Sequence, residues 1–256
     1  MEKSYSVKNP IVPGVRLTKD DKDDEGAKIN ATIYKQLIGS LMYLTATRPD
    51  LVYVVSLMSR FMASPTELHL QAAKRVLRYL KGAVDLGILY QKRGNGELIT
   101  YTDSDYAGDI NDRKNTSGCV FLLSDGVVSW SSKKQPIVML STTEAKFVAG
   151  TSSACQGVWM RRFFKKLGHF QDKCIAMLCD NNSTIKLSKN PIMHGRNKHI
   201  DVRFHFLGDL TKNEIIELKH CVTQKQVVDI MTKPLKLDAF IKLRESMGMC
   251  VVSRVN

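Results

Sequence analysis

Across Gln91-Lys-Arg-Gly-Asn-Gly96 the spacing of apolar residues changes from a helical period to a strand period, and this change constrains the chain more than any other feature. Upstream, Tyr34, Leu37, Ile38, Leu41, Met42 and Leu44 share one helix face, and Thr47-Arg48-Pro49-Asp50 ends the run. A second helix is predicted from about Asp50 to Met62. Ser64-Pro65-Thr66-Glu67 predicts the start of a third, with Ser64 as N-cap, Pro65 in the first helical position and Gly82 as the stop. Downstream, alternation predicts strands at 98–102, 119–123 and 127–131, the last two joined by an Asp125-Gly126 turn. A long helix from Thr142 or Thr143 to about Leu167 is followed by an apolar strand at 175–179. Helical sequence then runs from Ser183 to a break at Pro191 and resumes at about 201–209. A strand at 215–219, a helix near 227–232 and a terminal helix over 237–247 complete the pattern. Three antiparallel strands followed by strand–helix alternation imply an α/β fold with a mixed sheet covered by helices.

The expected organisation is a flexible linker over 1–30, a helical segment over 31–90 and an α/β domain over 95–256. Charge separates these parts. The chain carries +13, yet residues 1–30 hold six basic and six acidic side chains, so the whole excess lies in residues 31–256. Such an excess suits a polyanionic partner. The apolar run 37–57 is interrupted by Arg48-Pro49-Asp50, too polar for a bilayer interior, and no basic stretch leading into an apolar one marks a signal peptide. The six cysteines form no Cys-x-x-Cys pair and read as reduced thiols of a cytoplasmic or nuclear protein.

Four acidic residues stand where a mixed sheet gathers side chains from distant sequence. Asp103 closes the first strand, Glu144 lies in the first turn of the long helix, Asp180 ends the fourth strand and Asp229 follows the fifth. Singly, each reads as a cap or turn residue, and Glu144 in particular is explained by the helix dipole. As a cluster they would repel one another unless cations neutralised them. Two oxygen-ligated Mg2+ ions, with Mn2+ as a substitute, would supply that charge, whereas zinc lacks its His and Cys ligands here.

The motifs Tyr101-Thr-Asp103-Ser-Asp105, Arg113-Lys-Asn-Thr116-Ser-Gly118, Trp130-Ser-Ser-Lys133-Lys134-Gln135, Ser141-Thr-Thr-Glu144-Ala, Cys179-Asp180-Asn-Asn-Ser183, Lys198-His-Ile-Asp201 and Val228-Asp229-Ile-Met-Thr-Lys233-Pro234 resemble, in order and spacing, the ribonuclease H domain of copia-type retrotransposon Pol polyproteins. Upstream, Tyr34-x-x-Leu37-Ile-Gly39 through Arg48-Pro49-Asp50, together with Ala72-Ala-Lys74-Arg75 through Gly82, resembles the segment that joins the reverse transcriptase to that domain. The resemblance implies a ribonuclease H-like five-stranded sheet. It also implies that Asp103, Glu144, Asp180 and Asp229 are catalytic metal ligands, with Asp201 as a rival for the fourth place. Many relatives carry a second Glu two residues after the position of Glu144. Here that position is Lys146, and because it is outside the inferred ligand set the metal site is expected to survive. His220 falls where related enzymes carry a mobile histidine, although an ordinary strand-end role is the favoured reading.

The implied activity is metal-dependent cleavage of the RNA strand of an RNA–DNA hybrid during reverse transcription, in the cytoplasm, within virus-like particles or in the nucleus. An upstream reverse transcriptase domain is the implied protein partner. The competing reading is a truncated remnant that binds nucleic acid without turning it over. No Tyr- or Phe-x-Asp-Asp motif is present, so polymerase chemistry is not expected of this chain. Lys133, Lys134, Arg113, Lys114, Arg161, Arg162, Lys165, Lys166, Arg196, Lys198 and Arg203 are candidate phosphate contacts, and Trp130 with Tyr106 a candidate sugar platform.

Overall fold

The structure is a computed structural model that describes residues 4–15, 17–19, 29–91, 96–169, 174–189 and 198–252, without the side chains of 198–202 and 204. Its centre is a five-stranded sheet of β2 (Leu98–Ser104), β3 (Thr116–Leu123), β4 (Gly126–Lys134), β5 (Ile175–Cys179) and β6 (Ile216–His220), in the order β4-β3-β2-β5-β6. The first three strands pair antiparallel, and β5 and β6 then add in parallel on the other side of β2. This is the mixed sheet expected from the alternation. Its parallel half requires crossover helices, which are α4 (Thr142–Lys166) between β4 and β5, and α5 (Asn182–Lys189) with α6 (Lys198–Lys212) between β5 and β6. Ser141 caps α4 by accepting from the Glu144 amide at 3.1 Å.

The helical segment consists of α1 (Ala31–Leu44), a short 3-10 turn (Pro49–Leu51), α2 (Val52–Ser59) and α3 (Glu67–Lys81). A small antiparallel pair joins its end, β1 (Leu86–Ile88), to β7 (Met249–Val251), which follows α7 (Leu237–Ser246). The break at 91–96 divides the chain but not the core. One apolar cluster runs from Tyr34, Ile38, Val54 and Val76 in the helices to Val120, Leu122 and Val127 in the sheet, and on to Val228 and Phe240. The helices therefore cover one sheet face, while Phe147, Met160 and Leu207 lie in the clusters against the other. Polar ties strengthen the joint. Arg60 donates to Asp109 and to Thr116 Oγ1, both at 3.0 Å, and Trp130 donates to the Thr45 carbonyl at 3.0 Å.

Several local expectations are corrected. The described residues of 4–19 are not a free tether: Ile11 and Leu17 are buried, Asn9 donates to the Leu235 carbonyl at 2.8 Å, and the Lys19 amide donates to Asn111 Oδ1 at 2.9 Å. The residues of 20–28 lie outside the described chain. Helix α3 is capped by Thr66, not Ser64, because the His69 ring nitrogen accepts from the Thr66 amide at 2.9 Å and completes a capping box. The β3–β4 loop is Ser124-Asp125, with Ser124 at φ 56°, and Gly126 already pairs with Leu123. Glycine is needed at 126 because a Cβ would lie 2.9 Å from the Tyr90 ring. The stretch 227–231 is a 3-10 turn, not an α-helix, and the pairing of β7 with β1 had no legible signal. Among the described residues no helix is long and apolar enough to cross a membrane.

Candidate acid cluster and adjoining groove

The carboxyl ends of parallel strands collect side chains at one edge of a sheet, and here β2 and β5 run side by side, delivering Asp103 and Asp180 to that edge. Asp229 reaches the same place by a different route. The 3-10 turn at 227–231 lies against β3 at Gly118, the residue paired across the ladder with Asp103. A Cβ at 118 would stand 2.8 Å from Met231 and 2.9 Å from Thr232 and Val228, so glycine permits this close approach. Thr232 then links the two acids, donating to Asp103 Oδ2 at 3.1 Å and to the Asp229 carbonyl at 3.4 Å.

Three of the four expected acids are thus brought together, and all are poorly hydrated: Asp103 and Asp229 are 2% and 5% exposed and the Asp180 side chain 11%. The group at their centre is a lysine. Lys146 Nζ lies 2.9 Å from Asp103 Oδ1 and also pairs with Asp180 Oδ1. Although burial works against its charge, the two carboxylates outweigh burial and push its pKa up to about 12. Asp229 pairs with Lys233 at 2.8 Å. Its carboxyl is pushed up to about 6, chiefly by burial, with Lys233 opposing and the charges of Asp103 and Asp180 adding to the rise. Asp229 Oδ1 is buried without a hydrogen-bond donor, and Asp103 Oδ1 is met by the Lys146 ammonium alone.

Glu144 is placed elsewhere. Successive residues of a helix turn by 100°, so positions 144 and 146 of α4 diverge by roughly 200°. Since Lys146 faces Asp103 and Asp180, Glu144 is directed away from them, and its Oε2 accepts from the Leu140 amide at 2.8 Å. That contact ties down the loop entering α4. Asp201 lies on α6, and its side chain is outside the described atoms. His220 is exposed at the end of β6, paired with Cys179 and so one residue along from Asp180.

These residues do not fit two divalent cations as they stand. Two-metal chemistry needs the carboxylates to share their charge with the ions, whereas the Lys146 ammonium already sits between Asp103 and Asp180. Among the described residues, no group of three His, Cys, Asp or Glu side chains is arranged to hold a metal ion. The expectation that the position of Lys146 leaves a metal site undisturbed is therefore overturned.

Two further residues organise this edge. Gln135, 4% exposed, donates to Ser117 Oγ at 2.7 Å, to the Ala145 carbonyl at 3.0 Å and to Ser104 Oγ at 3.3 Å, fastening β4, β3 and β2 to the start of α4. Asp105, beside Asp103, accepts from the Thr116 amide, and burial pushes its carboxyl up to about 6. Neither role is visible without the fold, although both residues stand in the motifs that carry the resemblance.

Next to the cluster, a groove of about 410 Å3 runs between α4 and the β3–β4 edge. Ser129, Ser131, Ser152 and Gln156 give it hydroxyl and amide walls, and Lys133 and Arg203 bring positive charge to it. Lys134 also lines it but is neutralised by Asp109 at 2.6 Å and Asp112 at 2.8 Å. Trp130 lines the groove and is anchored to Thr45, whereas the Tyr106 hydroxyl reaches the Leu140 carbonyl at 3.4 Å. Arg196 lies outside the described residues, as does the side chain of Lys198.

No family model matches the chain. It is 35% identical over 254 residues to the retrovirus-related Pol polyprotein from transposon TNT 1-94 of Nicotiana tabacum, covering 97% of this chain and 19% of that protein. It is 39% identical over 246 residues to the Pol polyprotein from transposon RE1 of Arabidopsis thaliana, covering 95% of this chain and 16% of that protein. The chain therefore spans less than a fifth of the length of these relatives. The crystal structure of LC11-RNase H1 in complex with RNA/DNA hybrid aligns with 53% of this chain and 94% of its own, at 15% identity and a TM-score of 0.41. At that distance the strand order, rather than the alignment, carries the fold assignment.

Proposed function

This chain belongs to the copia-type retrotransposon Pol polyproteins, matching their C-terminal reverse transcriptase and ribonuclease H part, and from that premise we propose that it is a nucleic-acid-processing ribonuclease H-like unit that grips RNA–DNA hybrids without cutting them. The observation that supports hybrid binding is the groove beside the acid cluster. Hydroxyl and amide groups from Ser129, Ser131, Ser152 and Gln156 match the 2′-hydroxyls and phosphate oxygens of a minor groove, and Lys133 with Arg203 supplies the cationic edge. None of these groups reads base edges, so recognition is by backbone and shape.

Of the two readings open from the sequence, hydrolysis and retention, the position of Lys146 favours retention. Hydrolysis of the RNA strand by two metals would need Asp103, Asp180 and Asp229 to face ions, and instead two of them share one ammonium group and the third pairs with another. Retention within a Pol polyprotein remains compatible with a reverse transcriptase partner.

The test is a binding titration with a labelled hybrid beside duplex DNA and duplex RNA of the same sequence. Hybrid is expected to bind best, with affinity falling steeply as salt rises, and Lys133→Ala should lower the salt slope by about 1. Equal affinity for all three duplexes, or a Lys133→Ala slope identical to wild type, would exclude the groove as the hybrid site.

A further inference from the structure

Three carboxylates packed at the end of β2, β5 and the 227–231 turn pose an electrostatic problem, and the chain contains its own answer. Asp103 Oδ1 and Asp180 Oδ1 share the Lys146 ammonium, Asp229 Oδ2 takes Lys233, and Asp229 Oδ1 receives no hydrogen-bond donor although it is buried. A cluster held together only for stability would satisfy that oxygen, because an unpaired buried acceptor is costly. Acceptor-only oxygens that converge from three elements, neutralised by ammonium groups alone and with one oxygen left bare, are the composition of a hard-cation site. The side chain standing at its centre projects from α4, the helix packed against β2.

We propose that Lys146 is a built-in cation occupying a latent divalent-metal site formed by Asp103, Asp180 and Asp229, and that position 146, not 144, controls whether this edge binds metal. The inference concerns the same site as the hybrid-binding reading and rests on it for the direction of the groove, but its test does not require hybrid. Two consequences follow from the geometry. The wild-type chain binds hybrid independently of Mg2+ or Mn2+, because no ion can enter while the ammonium pairs with both strand-end acids. Replacing Lys146 by an acid or a neutral amide frees Asp103 and Asp180 and leaves Asp229 Oδ1 beside them as a further ligand.

The experiment compares the full chain, Lys146→Glu and Lys146→Gln by thermal unfolding and isothermal titration with MnCl2 at constant ionic strength, with circular dichroism to establish folding. Wild type is expected to show no Mn2+-dependent change. Lys146→Glu should gain a Tm rise of roughly 3 °C at saturating Mn2+, and Lys146→Gln a smaller rise. In the Lys146→Glu background, Asp180→Asn should remove the gain and Glu144→Gln should leave it intact. If Lys146→Glu does not fold, Lys146→Gln carries the same test. The proposal is overturned if wild type binds Mn2+ as tightly as the variants, if a folded Lys146 variant takes up no metal, or if Glu144→Gln abolishes uptake. Loss of hybrid binding with the metal pattern intact would remove the hybrid reading and leave this one standing.

Discussion

Beneath α3, Asp50 is buried with a single arginine and every oxygen is engaged. Arg48 donates to Oδ1 at 2.9 Å and Oδ2 at 2.7 Å, Tyr79 donates to Oδ2 at 2.5 Å, and Arg244 donates to the Tyr79 hydroxyl at 3.1 Å. Arg48 also reaches the Ala83 carbonyl at 3.0 Å, so the network closes on both sides. At the ends of β2 and β5 three acids share two lysines, and one buried oxygen, Asp229 Oδ1, has no donor. Both clusters are buried, yet only in the first does every carboxylate oxygen have a donor. A satisfied network fixes the packing of its surroundings, whereas an acid-rich, under-donated one is costly to the fold and is kept where charge has another use. Burial of a charged group therefore does not mark a site by itself; the surplus of like charge and the missing donor do.

The comparison breaks most visibly at Asp50. Asp50→Ala removes the carboxylate that both Arg48 and Tyr79 address, and a chemical-denaturation curve should show a loss of about 4 kcal/mol, the cost of stranding a buried charge. A smaller effect is expected from pH. Because the folded-state value of Asp105 is about 6 against an ordinary 3.8, its stability contribution is fully present below about pH 4 and is lost as pH rises through 6. Asp229 behaves in the same way. Asp105→Asn should keep the amide contact from Thr116 through its carbonyl oxygen and gain on the order of 2 kcal/mol at pH 7, flattening the pH 4–6 slope measured by urea denaturation. An unchanged slope would remove Asp105 as its source. The smallest change sharpens the contrast: Lys146→Met, which keeps the apolar stem, should cost only about 1 kcal/mol at pH 7, because the Asp180 side chain remains 11% exposed and can be rehydrated. A loss as large as that of Asp50→Ala would mean the two clusters are built alike.

Much of this was legible in the chain. Periodicity located every strand of the central sheet within three residues at each end, because alternating burial is imposed on each strand by its own two faces. The start of α4 at Thr142 and the stop of α3 at Gly82 were equally local. Motif order identified the family, and four acids, Asp103, Glu144, Asp180 and Asp229, were singled out, of which the fold gathers all but Glu144. The cap at Thr66 was missed since it depends on which way the His69 ring turns, and β1 with β7 was missed since three-residue strands carry no periodic signal.

What sequence alone determined, then, is the mixed sheet, its crossover helices and the neighbourhood in which the acids lie. Only the folded chain decided that the helical segment and the sheet share one core, because apolar faces are matched in space and not along the polypeptide. It also decided which side of α4 meets Asp103 and Asp180. Glu144 and Lys146 are two positions apart, and the helical twist lets only one of them face the strand ends; the docking of α4 on β2 turned that place to the lysine.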